Sequence, residues 1–471
     1  MTQSNKTVRQ ARDVNDYISI RDFGAVGDGI ADDTIAIQAA FNSGAKYIFI
    51  TTPSAHYKIT SALTITGSGI TIFGTNKFSA LIKQYTASAK IFVNSGAWNN
   101  FSNFSLDYAV TPTNGATAIE SSGSNSHFSD FVVNKADIGI KFLTGSAQMA
   151  DNFQIFAYVT SGILCTTIND VFCSKFILNA GNATNGSLGG IRLSEKAEAC
   201  IFTDGDVLLG VRSLTTDAAS YALNVRPAYN NFTNIFFDSD ALGSSVNNMV
   251  ETEFIGCWFS GGRTDTGYAG LTLTQTDSIA FTNTRFFNNG GAGCLVGPTA
   301  KRITFDICTF ESNSVTAGVG VAHGLSISPN CTDFAVRNCI AHNGLYTGQQ
   351  GYGILVNAGS SDHYQISGNK VTGNVQAAGI SDAGTGTSGK VTDNDGYNPV
   401  GASVVTYGTS PFTVTAGHSP QTLYVYGGVV SNVSSGGQTV ATSSPCSIQM
   451  GPNESVVITA SSAPTMTRFI H

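Results

Sequence analysis

Short apolar segments of alternating polarity recur along the middle of the chain, between about residues 99 and 398. Typical examples are FTDGDVL, FTNIFFD, FTNTRFF and FDICTFE, and Gly, Asn or Ser residues separate them. Such segments are too short for amphipathic helices, and their period of two predicts strands. Their lead residues are 22 to 31 positions apart and are Phe202, Phe232, Phe254, Phe281, Phe305, Val336 and Ile366.

This spacing is typical of a solenoid, in which one unit cannot bury its own apolar face and must stack on its neighbours. We therefore predict an all-β fold, a parallel β-helix with an inward ladder of phenylalanines. A second column contains Cys257, Cys308 and Cys339 and predicts a ladder of small core residues. A third contains Asn234, Asn283 and Asn338, whose amides we expect to pair along the stack. The signatures of leucine-rich repeats and of WD propellers are missing.

The two ends of the chain differ from the repeats. Residues 33–43 predict a short helix that covers the first turn, with Asp33 as its cap and Gly44 after its end. Residues 385–403 are rich in Gly and Thr and indicate a boundary. We predict a leader at residues 1–17, the β-helix at 18–398 and a small β domain at 399–471 that serves trimerisation or carbohydrate binding.

Composition excludes several classes of protein. The 471 residues have a formal net charge of −7 and no Lys/Arg run, so we expect no nucleic-acid partner. No apolar run is long enough for membrane insertion, and the N-terminus has no apolar segment typical of a signal peptide. Nine cysteines without a CxxC pair predict free buried thiols rather than disulfides or zinc, and we expect no metal and no cofactor. Ser-nucleophile and nucleotide-binding motifs are missing.

The segment ISIRDFGAVGDGIADDTIAIQAAF, residues 18–41, resembles the opening of right-handed β-helices of the pectate-lyase superfamily. Together with the short leader it resembles a bacteriophage or prophage tailspike. That resemblance implies a homotrimer on the virion tail, made in the host cytoplasm and acting outside the cell. It also implies binding and cleavage of host capsule, O-antigen or exopolysaccharide. Residues 1–17 would then contact a tail or baseplate protein.

The resemblance does not identify the catalytic residues. The paired-Asp motif of polygalacturonases is missing, Ala322-His323-Gly324 is only faintly similar to their Gly-His-Gly, and no calcium-site pattern of pectate lyases is found. The acidic cluster within residues 22–33 suits turns and a helix cap better than it suits catalysis.

Glycoside hydrolysis needs two carboxyl groups, and aligning the repeats places candidates on three successive turns. We predict as catalytic residues Asp206, Asp238, Asp240 and Glu253. Asp238 and Asp240 are the preferred pair, because residues two apart on a strand have a separation suited to an inverting enzyme. We predict as substrate-binding residues Trp258, Arg263, Tyr268, Arg285 and Glu311. Trp258 should point outward because it precedes an inward Phe259.

Three functions remain open at this point. The first is an endo-acting glycosidase. The second is a lyase acting on a uronic-acid polymer, in which Arg or Lys neutralises the substrate carboxylate. The third is a non-enzymatic receptor-binding fibre whose carboxylates only hydrogen-bond sugars. An exposed Asp at a strand end is usually a solvated turn residue, which is the alternative to a catalytic role for each candidate. A fourth function, a secreted plant-cell-wall enzyme, is disfavoured by the missing signal peptide.

Overall fold

The computed structural model describes residues 17–182, 184–217, 225–261, 268–345, 349–397 and 401–471. It divides into two units, one ending at Leu271 and the other beginning at Thr272, and each is described by itself. Arg263 and residues 1–16 of the predicted leader lie outside the described residues. The predicted boundary between residues 398 and 399 also falls outside them.

The first unit is a parallel β-helix with two sheets. Its first sheet contains β1 (Tyr17–Ser19), β2 (Tyr47–Ile50), β3 (Tyr57–Ile59), β5 (Thr71–Gly74), β6 (Leu81–Gln84), β8 (Asn100–Tyr108), β10 (His127–Asn134), β12 (Ser146–Phe156), β14 (Ile168–Asn179), β16 (Ala197–Glu198), β17 (Ile201–Leu208), β19 (Asn231–Asp238), β21 (Val250–Ile255) and β22 (Trp258–Ser260). Its second sheet contains β4 (Leu63–Ile65), β7 (Phe92–Asn94), β9 (Thr117–Ser121), β11 (Ile138–Phe142), β13 (Ser161–Cys165), β15 (Ile191–Leu193), β18 (Leu214–Thr216) and β20 (Ser244–Asn247).

The second unit begins with the same parallel architecture. One of its sheets contains β24 (Asp277–Thr282), β25 (Arg285–Phe287), β27 (Thr304–Asp306), β28 (Thr309–Glu311), β30 (Ala335–Arg337), β31 (Ile340–His342), β33 (Gln365–Ser367) and β35 (Lys390–Thr392). The other contains β26 (Cys294–Val296), β29 (Leu325–Ile327), β32 (Ile354–Gly359) and β34 (Ile380–Gly384), while β23 (Leu271–Thr274) begins at the division between the units.

Stacked phenylalanines fill the core, as the repeat pattern predicts. Phe202, Phe232 and Phe254 are in register on successive turns, and their ring centroids are 5.1 and 4.8 Å apart. In the second unit Phe281 and Phe305 stack at 4.9 Å. Each stacked pair buries aromatic surface against the next turn, so the solenoid forms a continuous core.

The cysteine column is also confirmed as a core feature. Cys257, Cys308 and Cys339 are buried, and all nine cysteines are free thiols. Burial raises the pKa of Cys257 to about 12, so this thiol stays protonated and behaves as a small apolar side chain.

The predicted asparagine ladder differs in the structure. Asn234 and Asn338 are in the left-handed backbone region, which Asn adopts more readily than most residues. Each donates its amide to an aspartate rather than to another asparagine: Asn234 to Asp204 at 2.7 Å, and Asn338 to Asp306 at 3.0 Å. The column is therefore an exposed corner of the β-helix rather than an amide ladder.

The N-terminal helix α1 (Thr34–Phe41) follows a 3-10 turn at Ile20–Phe23 and buries Ile37, Ala40 and Phe41, as predicted. Its capping differs from the prediction, because Asp33 makes no side-chain cap bond. Asp33 instead accepts hydrogen bonds from the backbone of Val26 and Gly27 in the preceding turn. The residue before it, Asp32, accepts from the Thr34 backbone at 3.0 Å and caps the helix.

The C-terminal part of the second unit is antiparallel. One sheet has the order β36 (Gly401–Val405), β43 (Thr465–Ile470), β38 (Gln421–Tyr426) and β41 (Cys446–Met450). The other has the order β37 (Phe412–Thr415), β42 (Ser455–Ser462), β39 (Val429–Ser435) and β40 (Gln438–Ala441). Both sheets contribute to one buried cluster, which makes this part a small β-sandwich. Among the described residues, no helix has the length and apolarity needed to cross a membrane.

Candidate active site

A corner divides the outward surface of the first sheet in the first unit into two faces. Asp130, Asn152, Lys175, Asp204 and Asn234 form this corner, with φ between 51° and 55° at every one of them. The left-handed turn interrupts the alternation of side chains and separates an N-terminal face from a C-terminal face on each long strand. The C-terminal face carries the candidate site.

Asp206 and Asp238 lie on this C-terminal face, on adjacent turns. Asp206 of β17 is in register with Phe236 of β19, and Asp238 follows two residues later. One strand spacing and a two-residue rise separate the two α-carbons by roughly 8 Å. Because residues two apart on a strand share a face, both carboxyl groups are on the solvent side. Both residues are partly exposed.

The environment of Asp206 favours its protonated form. Partial burial and then the neighbouring negative charge of Asp238 raise the pKa of Asp206 to about 6. Asp238 instead accepts a hydrogen bond from the hydroxyl of Ser260, Oγ to Oδ1 at 2.5 Å, and Ser260 is its register partner on the next turn. The two acids therefore have different surroundings, as an acid and a base require.

Two aromatic side chains continue the column of Asp206. Phe236 and Trp258 are register partners, and their rings stack with centroids 4.3 Å apart and planes 27° apart. Phe259 is buried, so Trp258 alternates outward as the sequence predicts. A pair of partly exposed stacked rings beside two carboxyl groups offers a flat apolar surface for a sugar ring.

A groove of about 430 Å³ runs from Asp206 toward the earlier turns. Polar side chains of Asn152, Gln154 and Lys175 line it, and Phe236 closes the end nearest Trp258. Lys175 is exposed and has no carboxylate within 4.0 Å in the described part of the chain. The groove thus combines hydrogen-bond donors and acceptors with one cation and one acid of raised pKa.

Asp240 does not share this outward face, contrary to the placement predicted from the sequence. It is 3% exposed and accepts hydrogen bonds from the backbone and the hydroxyl of Ser213, at 2.6 and 2.5 Å. Burial raises its pKa to about 7. The strand β19 ends at Asp238, so the chain turns inward and the alternation that the prediction extended to Asp240 no longer applies.

Glu253 is exposed but lies on the other side of the corner. Its register partner is Asn231, at the start of β19, whereas Asp238 is at the end of that strand. The structure therefore does not bring Glu253 together with Asp206 and Asp238. Tyr268 is 40% exposed. It acts on the pKa of Arg212 rather than on the pKa of Asp206.

The remaining predicted binding residues belong to the second unit. Arg285 pairs with Glu311 at 3.1 Å, and its guanidinium lies 4.6 Å from the ring centroid of Phe287. Arg285 and Glu311 therefore form an ion pair within the second unit, which indicates a structural role for both charges.

Sequence reasoning overlooked Phe236, Lys175 and Gln154. Phe236 had a usable signal, because it occupies the same place after its lead residue as Asp206 and Trp258 occupy after theirs. Lys175 and Gln154 had no such signal in the sequence, because only the left-handed corner brings them to the groove. No group of three or more His, Cys, Asp or Glu side chains among the described residues is arranged to hold a metal ion.

Comparison with known proteins agrees with this architecture. Residues 201–396 match the family model described as a right handed beta helix region. The chain contains a right-handed β-helix. No curated protein matches significantly.

Solved structures with the same fold include tailspike protein 3 of bacteriophage CBA120, at 17% identity and a TM-score of 0.50. That match covers 82% of this chain and 60% of the tailspike, so the chain spans well under two thirds of its length. The A-module of the mannuronan C-5 epimerase AlgE4 of Azotobacter vinelandii is 14% identical, with 80% of this chain and 100% of the module covered and a TM-score of 0.48. The GH87 alpha-1,3-glucanase of Streptomyces thermodiastaticus is 16% identical, with 81% and 69% covered and a TM-score of 0.47. At 17% identity the similarity to the tailspike shows the fold alone.

Proposed function

We propose that this protein binds a polysaccharide along the C-terminal face of the first sheet and hydrolyses it, with Asp206 as general acid and Asp238 as general base. The observation that carries the proposal is the raised pKa of Asp206 beside a second carboxylate on the same outward face. A carboxyl group that stays protonated near neutral pH, paired with one in different surroundings, is the arrangement that glycoside hydrolysis uses.

The spacing of the two acids favours an inverting reaction. Inverting enzymes hold their carboxyl groups roughly 6.5–9.5 Å apart, which leaves room for a water molecule, and retaining enzymes about 5–5.5 Å apart. The α-carbon separation of roughly 8 Å agrees with the first class. Asp206 would protonate the glycosidic oxygen as the bond to the leaving sugar breaks. Asp238 would remove a proton from water as the water oxygen attacks the anomeric carbon from the opposite side.

Neighbouring side chains support these two roles. The Ser260 hydroxyl donates to one oxygen of Asp238 and leaves the other oxygen for water. Phe236 and Trp258 would stack against a sugar ring next to the scissile bond. Asn152 and Gln154 would hydrogen-bond sugar hydroxyls in the groove on the other side of Asp206.

A lyase is the second candidate, and Lys175 is the observation that favours it. This side chain lines the groove beside Asp206 without an ion-pair partner among the described residues, so it could neutralise the carboxylate of a uronic-acid unit. In that reaction a base removes the proton from the carbon next to the carboxylate, a double bond forms as the glycosidic C–O bond on the adjacent carbon breaks, and the leaving sugar oxygen takes up a proton.

We further propose that the protein is a tailspike-type depolymerase, a homotrimer on a virion tail that acts on host surface polysaccharide outside the cell. The sequence of residues 18–41 and the fold shared with a phage tailspike support this assignment. Light scattering should give about three times the mass of one 49.1 kDa chain, and a stable monomer would contradict the trimer.

The experiment that tests the enzyme is a screen of bacterial capsule, O-antigen and exopolysaccharide preparations for loss of viscosity. Hydrolysis should release new reducing ends without near-ultraviolet absorbance, and proton NMR should show the inverted anomer first. An unsaturated product that absorbs in the near ultraviolet would show that the enzyme is a lyase rather than a hydrolase. Binding without any product would leave a receptor-binding fibre as the function.

A further inference from the structure

A second and larger cleft, of about 700 Å³, lies in the second unit between the last parallel turns and the β-sandwich. It is distinct from the groove at Asp206, which is in the first unit. Hydroxyl and amide side chains line much of it, among them Thr385, Thr387, Thr415 and Ser455. Its volume is in the range typical of small-molecule sites, and its lining suits a ligand with many hydroxyl groups.

Among the described residues that line this cleft, the charged or titratable side chains other than Tyr397 are Asp382, His418 and Arg468. Asp382 and His418 neutralise each other, since Nδ1 of His418 is 2.5 Å from the Asp382 carboxylate. The other ring nitrogen faces the carbonyl oxygen of Gly386 at 3.0 Å. Each ring nitrogen of His418 thus faces an acceptor, and the hydrogen bond with Asp382 raises the pKa of His418 above its usual value.

Arg468 is therefore the uncompensated charge of the cleft. It has no carboxylate within 4.0 Å among the described residues, and its Nε donates a hydrogen bond to the Ser403 hydroxyl at 3.0 Å. Two nearby acids do not line the cleft: Asp362 accepts from the backbone of His363 and Ser388, and Glu454 accepts from the Ser435 hydroxyl and the Gly451 backbone. An anionic group that enters the cleft can therefore pair with Arg468 without displacing a carboxylate from it.

The position of Arg468 within the sandwich strengthens this conclusion. On β43 it shares a face with Met466 and Ile470, and it is in register with Leu423, which is fully buried in the core. Arg468 thus extends from the inner face of its sheet and is only partly buried, so its guanidinium is accessible to a ligand. The open end of the sandwich directs it into the cleft rather than to the outer surface.

We propose that this cleft is a second carbohydrate-binding site, which takes a sugar unit bearing a carboxylate and holds that carboxylate on Arg468. The planar guanidinium can donate two parallel hydrogen bonds to one carboxylate, and the surrounding hydroxyls contact the sugar. The site performs no chemistry. It would hold an acidic chain on the protein independently of cleavage at Asp206.

Saturation-transfer NMR with trigalacturonate, and with maltotriose as the neutral trisaccharide of equal length, tests this proposal on the full chain. We expect trigalacturonate to bind and maltotriose to bind at least tenfold more weakly. Arg468→Gln should weaken trigalacturonate roughly tenfold or more, the loss expected for charge-assisted hydrogen bonds, and Arg468→Lys should weaken it less. Arg337→Gln, which removes an exposed cation of the same unit outside the cleft, should leave it unchanged.

A second variant makes the test independent of Arg468. A side chain at Gly417 would begin in open space, because no atom lies within 4 Å of the added β-carbon. Gly417→Phe should fill the cleft and abolish binding while the fold survives. Asp206→Asn should bind trigalacturonate at this cleft as the unchanged protein does. Equal binding of the neutral trisaccharide, no binding of either one, or full binding by both Arg468→Gln and Gly417→Phe would overturn the proposal.

Discussion

Asp206 lies one turn before Asp238 and, along the strand direction, two residues behind it, so the two carboxyl groups share one outward face. This relationship predicts that Asp206→Asn and Asp238→Asn each lower the turnover of the cleaved polysaccharide about a hundredfold or more, the usual loss for a general acid or base. Asparagine nearly preserves the shape of the side chain. Folding and polysaccharide binding should therefore remain, as measured by circular dichroism and by sedimentation with the polymer.

Asp170→Asn is the matched control, because it removes one partly exposed carboxylate of the same unit that does not line the groove. It should keep full turnover. Near-full activity in both the Asp206 and the Asp238 variants would exclude this pair as the catalytic acids.

The pH dependence of the reaction follows from the raised pKa of Asp206. A general acid works only when it is protonated, so kcat/KM should fall as pH rises above about 6, tenfold for each further unit. Part of the shift comes from the charge of Asp238. In Asp238→Asn the pKa of Asp206 should consequently decrease, as measured by a carbon-13 NMR titration of its carboxyl group. An unchanged titration would mean that the two carboxyl groups do not interact.

The stacked pair of Phe236 and Trp258 should contribute to binding rather than to chemistry. Trp258→Ala removes the outer ring and should raise KM severalfold to tenfold, with a smaller effect on kcat, because stacking acts on the bound sugar in both the ground and transition states. Trp258→Phe keeps a ring and should recover most of the affinity. A Trp258→Ala variant with unchanged KM would show that the substrate does not reach this platform.

Asp240 provides a test that separates a structural carboxylate from a catalytic one. Asp240→Ala leaves the Ser213 backbone and hydroxyl groups without their buried acceptor and should lower the free energy of unfolding by about 1–3 kcal/mol. Thermal or urea unfolding measures this loss. Turnover at a temperature where the variant is folded should stay within a few fold of the original, and a hundredfold loss there would restore the catalytic role that the sequence suggested.

The fold was accessible from sequence because the β-helix is built from a local pattern repeated on every turn. Phe202, Phe232 and Phe254 are each inward for the same reason, and alternation then assigns Trp258 outward. The same alternation was enough to predict that Asp238 points outward. The burial of Asp240 could not be read the same way, because it lies beyond the strand end, where the loop path rather than alternation decides orientation.

The groove was less predictable for a related reason. Its lining depends on a corner of left-handed residues that includes Lys175 and Asp204. A lysine seldom adopts this backbone conformation, so the sequence does not predict the corner there. The capping of α1 shows the same limit on a smaller scale. The sequence predicts Asp33 as the cap, but the tertiary contacts of Asp33 with Val26 and Gly27 leave the cap to Asp32.

The contact of His418 with Asp382 predicts a pH-dependent stability of the sandwich region. Asp382 raises the pKa of His418 above its usual value, so the folded protein binds this proton more tightly than the unfolded chain does. The stabilisation should be complete below the pKa of an unfolded histidine, about 6.5, and should be lost as pH rises through the higher folded value. The groups around the imidazole are Asp382, Tyr364, Asp362 and the Gly386 carbonyl, and the pKa of Tyr364 is itself raised by burial, so it stays neutral over this range.

Thermal unfolding between pH 5 and pH 9 measures this contribution, with hydrogen exchange of residues 401–471 to locate it. His418→Gln should melt at a lower temperature than the unchanged protein at pH 6, and the difference should shrink toward pH 9. His363→Gln is the matched control, since the His363 side chain is 63% exposed and should carry little of the pH dependence. If His418→Gln melts with the same dependence on pH as the unchanged protein, the proton on His418 does not stabilise this region, and the hydrogen bond from Tyr364 to Asp382 would be the contact that does.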